Sequence, residues 1–311
     1  MVNNLYGKDI LDLTEFTKQD VIDLIELAID MKANKEKYAK SLDKKTLAMI
    51  FEKNSTRTRI SFEVGMYELG GYPLFLDSST TQMGRGEPIY DTAHVLSGYV
   101  DAIMIRTFSD ELVAQLAEHA RIPVINGLTD LHHPCQILAD FQTIYEVKGS
   151  LEGLKITYIG DGNNMAHSYL IGAAIVGIDV SIAAPNAYMP NTDIVEIAKN
   201  YAKTSGSIIE IVEDPKIAVK NADFIFTDVW SSMGNEDEAS EREQVFKEIY
   251  QVNTELVALA KSDYHFMHCL PAHRGEEVSS EIIDGSHSLI YQEAENRLHA
   301  QKALLHKVLL P

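Results

Sequence analysis

Only two cysteines, Cys135 and Cys269, occur in 311 residues, which is too few for a disulfide framework and in keeping with a reducing compartment. Basic residues are scarce as well: 27 Lys and Arg stand against 46 Asp and Glu, for a net charge of −19. A body this acidic repels nucleic acid and anionic lipid unless it carries a concentrated basic patch, and none is visible in the sequence. Long apolar runs are also missing. The most apolar region, 171–184, is interrupted by Gly172, Gly177 and Asp179, so no membrane-spanning helix is expected. The first six residues have neither the basic segment nor the apolar run of a signal peptide, and a cytoplasmic location is expected. Glycine (18) and proline (9) are modest in number and 45% of residues are apolar, which excludes disordered and fibrous classes. What remains is small-molecule chemistry on an ordered globular protein.

A chain of this length exceeds what one hydrophobic core usually supports, so two domains are expected. Leu47 to Phe51 is a short continuous apolar run of the kind found in strands covered on both faces, whereas Val21, Leu24, Ile25 and Ala28 recur at helical spacing. Further strands are expected at 72–76, 102–105 and 123–125, with helices near 88–97 and 110–120. The segment 134–147 reads as a helix and Lys148 to Gly153 as a linker. A second unit follows with strands at 156–159, 180–183, 207–211, 224–227 and 265–268, and a final helix from about Glu293 to Leu309. Strands alternating with helices at this spacing predict an α/β fold: two domains, each a mostly parallel sheet flanked by helices, joined by interdomain helices. The expected boundaries are 1–148 for the first domain, with 293–311 packing back on it, and 149–292 for the second.

Polar groups cluster after the expected strands. Ser55-Thr56-Arg57-Thr58-Arg59 places hydroxyls and guanidinium groups where a helix begins, so free backbone N–H groups converge with donors suited to phosphate or carboxylate oxygens. The plainer alternative is an ordinary helix cap with solvated arginines, Arg59 being held by Glu52 or Glu63. Arg106 lies where the carboxyl end of a strand would place it, at the usual ligand rim of an open α/β sheet, although Asp101 or Asp110 could pair with it instead. His133 precedes Pro134 at an expected helix start, and a neutral imidazole there can donate one hydrogen bond to a polarised carbonyl oxygen.

In the second half, Gly160-Asp161-Gly162-Asn163-Asn164 lacks the spacing of a dinucleotide loop. Its glycines permit a sharp turn, and Asn163 and Asn164 either cap the next helix or face a zwitterion. Asp228 is suited to an ammonium group, and the Ser232–Met233 backbone to a carboxylate. Cys269, in His268-Cys269-Leu270-Pro271, is compatible with a nucleophile or with a thiol that contacts a substrate amine. Arg297 has Glu293 as a possible partner on its own helix face. His132, His133, Cys135, His268, Cys269 and His273 are potential metal ligands, but their spacing matches no recognised zinc site, and no metal or other cofactor is expected.

Four of these segments, Ser55-Thr56-Arg57-Thr58-Arg59, His133-Pro134-Cys135-Gln136, Ser232-Met233-Gly234 and His268-Cys269-Leu270-Pro271, occur in the order that resembles the transcarbamoylase family, its ornithine-using branch most closely. The resemblance spans essentially the whole chain. It implies carbamoyl phosphate and L-ornithine as substrates, direct attack of the side-chain amine on the carbamoyl carbon, and domain closure over the substrates. It assigns carbamoyl phosphate to Ser55, Thr56, Arg57, Thr58, Gln82, Arg106, His133, Gln136 and Arg297. Ornithine is assigned to Asn163, Asn164, Asp228, Ser232, Met233, Cys269 and Leu270, and the catalytic roles to Arg106, His133, Thr58, Cys269 and Asp228. Gln82 matches a family residue that reaches the site of a neighbouring subunit, which implies a homotrimer, with further stacking of trimers left open. Neither nucleic acid nor a membrane is implied as a partner. The rival readings are a transcarbamoylase acting on putrescine or aspartate, an NAD-linked oxidoreductase, and a non-catalytic anion-binding protein.

Overall fold

The computed structural model describes residues 5–231 and 238–311. Ser232 and Met233 lie outside them. The chain divides into two compact units, Met1–Glu146 with Glu295–Pro311, and Val147–Ala294.

Unit 1 contains β1 (Thr46–Phe51), β2 (Tyr72–Asp77), β3 (Ala102–Arg106) and β4 (Val124–Leu128), paired in parallel in the order β2-β1-β3-β4. Its helices are α1 (Lys18–Ala33), α2 (Lys35–Tyr38), α3 (Thr56–Glu68), α4 (Ile89–Leu96), α5 (Asp110–His119) and α6 (Pro134–Lys148). Strands β1 and β3 are buried along almost their whole length, as expected of parallel strands covered by helices on both faces. Ala48, Ile50, Ile103 and Ile105 pack with Val113 and Leu116 of α5 in one of the cores. Because β1 is flanked by β2 on one side and β3 on the other, the chain changes direction across the sheet between β1 and β3. A crevice opens at such a switch point, beyond the carboxyl ends of the two strands.

Unit 2 repeats the principle with five parallel strands in the order β7-β6-β5-β8-β9: β5 (Lys155–Ile159), β6 (Asp179–Ala183), β7 (Ile209–Val212), β8 (Phe224–Thr227) and β9 (His265–His268). Helices α7 (Asn164–Val176), α8 (Thr192–Ser205), α9 (Pro215–Ala218), α10 (Ala239–Tyr250), α11 (Thr254–Val257) and α12 (Ser280–Ile283) connect them, and α13 (Ile290–Leu309) carries the chain back into unit 1. Here the switch point falls between β5 and β8.

The sequence expectations and the structure differ at several element ends, among them β4, which runs to Leu128 and not 125. Lys148 closes α6 rather than opening the linker, and α13 begins three residues before Glu293. Strand β7 starts at Ile209 instead of Ser207, whose hydroxyl donates to the carbonyl of Ile178, 29 residues away, at 2.6 Å.

Candidate functional site

In unit 1 the end of β1 runs into α3, and Ser55 caps that helix by accepting from Thr58 N at 3.1 Å. Phe51 pairs in register with Arg106 at the end of β3, and the Arg106 carbonyl accepts from Glu52 N at 2.9 Å. The switch point thereby brings the N-terminus of α3 and the Arg106 side chain to one place. Arg106 Nη1 lies 3.4 Å from Thr58 Oγ1, and Arg297 Nη2 of α13 lies 3.1 Å from the same oxygen. Arg297 Nη1 donates to Gln136 Oε1 at 2.6 Å, and Gln136 Nε2 donates in turn to Asp140 at 2.8 Å. Thr58, Arg106, His133, Gln136 and Arg297 are all buried, whereas Arg57 is half-buried.

Two guanidinium groups occupy the acceptor side of the Thr58 hydroxyl, which leaves its O–H to donate in another direction. Burial, with the positive charges of Arg297, Arg106 and Arg57 adding to it, holds the His133 imidazole well below its usual pKa. His133 is therefore neutral at pH 7, and one ring N–H can donate without adding a further charge. Together these side chains form a donor-lined, cationic and largely desolvated recess, which suits an anion that also carries a polarised carbonyl.

The alternative partners raised for Arg106 and Arg297 are engaged by other groups. Asp101 pairs with Lys45 at 3.0 Å, Asp110 accepts from Leu131 N at 3.1 Å, and Glu293 accepts from His268 N at 2.7 Å. Arg59 turns away from the recess, pairing with Glu63 at 3.3 Å and lying 3.7 Å over the ring of Phe75. It belongs to the scaffold. Gln82 is exposed on the loop after β2, outside the buried cluster of its own unit.

Lys53 is a residue that sequence reasoning missed. It is buried, forms an ion pair with Asp130 and lies over the Phe108 ring at 4.2 Å. It ties the loop before Ser55 to the loop that leads to His133. Its position inside Phe51-Glu52-Lys53-Asn54-Ser55 was a signal, but its partner is 77 residues away.

In unit 2 the loops after β5 and β8 meet at the second switch point. Gly162 has no room for a side chain, since a Cβ would lie 2.3 Å from Pro190 N, and this close approach sets the turn. Asn163 caps the next helix, one of the two readings its sequence left open, and it also reaches Asp228. Its Oδ1 caps α7 by accepting from Met165 N at 2.9 Å, while its Nδ2 donates to Asp228 Oδ2 at 3.1 Å. Cys269 Sγ donates to Asp228 Oδ1 at 3.3 Å, and Leu270 follows with φ +58°. Asn164 is half-buried in the first turn of α7. The result is a buried carboxylate flanked by an amide and a thiol, a setting for a cationic amine.

Two supporting groups here were not read from the sequence. Tyr158 donates its hydroxyl to Asn163 Oδ1 at 3.2 Å, and burial, with Asp228 and Asp161 nearby, pushes its pKa well above the usual value, so it stays a donor. Arg242 of α10 binds Asp161 at 2.6 Å and the Trp230 carbonyl at 2.9 Å, clamping both loops. Burial raises the Asp161 pKa against the opposing charge of Arg242.

Two sets of potential metal ligands bring their donor atoms within 4.8 Å of one another among the described residues: Asp228, His268 and Cys269, and His273, Glu276 and Glu277. In the first set both ring nitrogens of His268 are already engaged, by Leu270 N and by Glu277, so only a thiol and a carboxylate remain for an ion. In the second set His273 and Glu276 are exposed.

Depressed histidine pKa values in unit 1 make its stability depend on pH. Burial, with Lys32 and Lys302 nearby, lowers His299 to about 4, and His133 is lowered in the same direction. The unfolded chain binds protons below about 6.5 while the folded chain resists them, so stability is present above that pH and is lost as pH falls towards 4. Unfolding free energies from urea titrations are expected to fall between pH 7 and pH 5, by up to about 1.4 kcal/mol per pH unit for each such histidine. The slope should flatten in His299→Gln; an unchanged slope would show that His299 has no part in it.

A family model described as "Aspartate/ornithine carbamoyltransferase, carbamoyl-P binding domain" matches residues 8–146, and one described as "Aspartate/ornithine carbamoyltransferase, Asp/Orn binding domain" matches residues 152–308. The chain is 61% identical over 307 residues to an ornithine carbamoyltransferase of Listeria monocytogenes serotype 4b, with 99% of this chain and 97% of that protein covered. It is 58% identical over 306 residues to the ornithine carbamoyltransferase of Bacillus subtilis, covering 98% and 95%. Among solved structures, ornithine carbamoyltransferase from Pyrococcus furiosus superimposes with a TM-score of 0.95 at 51% identity, covering 99% of each chain. Anabolic ornithine carbamoyltransferase from Campylobacter jejuni gives 0.90 at 42% identity, covering 96% of this chain and 97% of that one.

Proposed function

Because the chain belongs to the aspartate/ornithine carbamoyltransferase family, we propose that it transfers the carbamoyl group of carbamoyl phosphate to the side-chain amine of L-ornithine, giving L-citrulline and phosphate. The observation that carries this reading is the buried recess at the β1/β3 switch point, where Thr58, Arg106 and Arg297 converge beside a neutral His133. The phosphate takes the donors of Ser55, Thr56, Arg57 and Thr58 at the start of α3, where the helix dipole favours an anion. The carbamoyl oxygen faces Arg106, His133 and Thr58, and Gln136 and Arg297 complete the recess.

Ornithine binds to unit 2. Asp228 takes its ammonium group, Asn163 and Asn164 orient it, and Cys269 and Leu270 lie by the side-chain amine. By resemblance to the family the carboxylate falls to Ser232 and Met233, which lie outside the described residues. The neutral amine attacks the carbamoyl carbon, the C–N bond forms as the bond to the phosphate oxygen breaks, and the amine proton passes to solvent. Charge grows on the leaving phosphate, so donors aimed at it contribute more in the transition state than in the ground state. No covalent enzyme intermediate and no cofactor are required.

We further propose a cytoplasmic homotrimer, with Gln82 completing the site of a neighbouring subunit. Ile60 and Tyr67, seven residues apart on α3, and Phe75 of the edge strand β2 are exposed, which supports burial of this face against another copy. Light scattering at three chain masses checks it. Among the described residues no helix is long and apolar enough to cross a membrane.

The decisive experiment measures citrulline and phosphate release from carbamoyl phosphate with ornithine, beside putrescine, aspartate and acetylated ornithine. Turnover with ornithine is expected, and turnover with only another amine would sink the substrate assignment. Arg57→Ala is expected to weaken carbamoyl phosphate binding; an unchanged affinity and rate would remove the phosphate site from the start of α3.

A further inference from the structure

We infer that Glu277 is a positioning residue for the ornithine half of the reaction: through the His268 ring it holds the Leu270 peptide beside Cys269 in the geometry that receives the side-chain amine. This inference rests on the ornithine reading above.

His268 ends β9 and is almost wholly buried. Its Nδ1 lies 2.9 Å from the backbone nitrogen of Leu270, and its Nε2 lies 3.2 Å from Glu277 Oε1. The Leu270 N–H can only donate, so Nδ1 is the nitrogen without a proton, and Nε2 carries the proton that goes to Glu277. A carboxylate at Nε2 stabilises that tautomer and fixes the plane of the ring, as second-layer carboxylates do for metal-binding histidines.

The ring then acts on the backbone. Leu270 has φ +58°, a left-handed conformation that a branched residue adopts only when its surroundings hold it there. The N–H bond to His268 Nδ1 is one such restraint. Leu270 directly follows Cys269, whose thiol donates to Asp228, so a change in the Leu270 peptide also moves the thiol relative to the carboxylate.

Glu277 is itself well placed for this task. It has no solvent exposure, and its Oε1 also accepts from His273 N at 2.6 Å, which orients the carboxylate from the far end of the same loop. The backbone of His268 is held separately, by Glu293 Oε2 at 2.7 Å. Ring and backbone are thus restrained by two buried carboxylates, and only the one on the ring governs the tautomer.

The test compares ornithine KM, kcat and carbamoyl phosphate Kd in the full-length protein for four variants. Glu277→Ala removes the acceptor and should raise ornithine KM about tenfold or more, while carbamoyl phosphate Kd stays at the wild-type value. Glu277→Gln keeps an acceptor oxygen for Nε2–H and should stay closer to wild type. His268→Asn places an oxygen near the position of Nδ1 and should partly rescue KM, whereas His268→Gln, whose polar end reaches the Nε2 position, should not. A Glu277→Ala protein with wild-type ornithine KM would overturn the inference. So would equal behaviour of His268→Asn and His268→Gln, a comparison that stands even if the alanine variant fails to fold. Wild-type protein that forms no citrulline would sink the ornithine reading itself, whereas an active wild type with unperturbed variants would sink only the role of Glu277.

Discussion

Arg106→Lys is expected to lower kcat/KM by about a hundredfold to a thousandfold, equivalent to about 3–4 kcal/mol of transition-state stabilisation. Lysine keeps the positive charge, so the loss measures geometry. The Arg106 guanidinium is buried beside Thr58 Oγ1, and its backbone is fixed at the end of β3 by the bond from Glu52 N. A planar fork can donate to the carbamoyl oxygen while keeping its contact with Thr58, whereas an ammonium on a flexible stem presents a point charge with no fixed orientation. Steady-state kinetics on protein with a wild-type circular dichroism spectrum decides the matter. A loss of less than about threefold would mean that Arg106 serves the scaffold, which is far below what a buried donor aimed at a developing charge contributes.

Asp228→Asn should act on the other substrate alone. Its carboxylate accepts from Asn163 Nδ2, Cys269 Sγ and Val229 N, a convergence of donors on one anion in unit 2. An asparagine turns an NH₂ group towards at least one of those donors and removes the charge proposed to face the ornithine ammonium. Charge-assisted hydrogen bonds of this kind contribute about 1.5–3 kcal/mol, so ornithine KM should rise by roughly tenfold to a hundredfold. The carbamoyl phosphate recess is built from residues of unit 1, so its Kd measured without ornithine should not change. A fall in carbamoyl phosphate affinity of similar size would show that Asp228 acts through global stability and not through the amine.

Much of the candidate site could be read from local sequence because parallel α/β sheets place polar groups where strands end. Ser55 to Thr58, Arg106 and Asp228 each follow a continuous apolar run, and their side chains are polar where the pattern predicts the rim of a sheet. The supporting residues carry no such mark. Lys53 and Asp130, Arg242 and Asp161, and Glu277 and His268 are pairs whose meaning lies in the partner, and the first two pairs join residues 77 and 81 positions apart. Nothing in the periodicity of either segment specifies which charge will meet which. Arg59 is the converse case: its position inside the motif left it between an anion and a pairing with Glu52 or Glu63, and the turn of α3 directs it to Glu63 and Phe75.

By itself, the sequence determined the class of chemistry, the alternation of strands and helices, and the placement of donor-rich segments at strand ends, because those depend on residue type and short-range spacing. The order of strands in each sheet was decided only in three dimensions, and with it the two switch points that bring Thr58 to Arg106 and Asn163 to Asp228. Those meetings depend on burying both faces of each sheet, a global condition on packing that no single segment encodes. The protonation of His133 belongs to the same category, since it follows from burial beside three arginines drawn from three separate stretches of the chain.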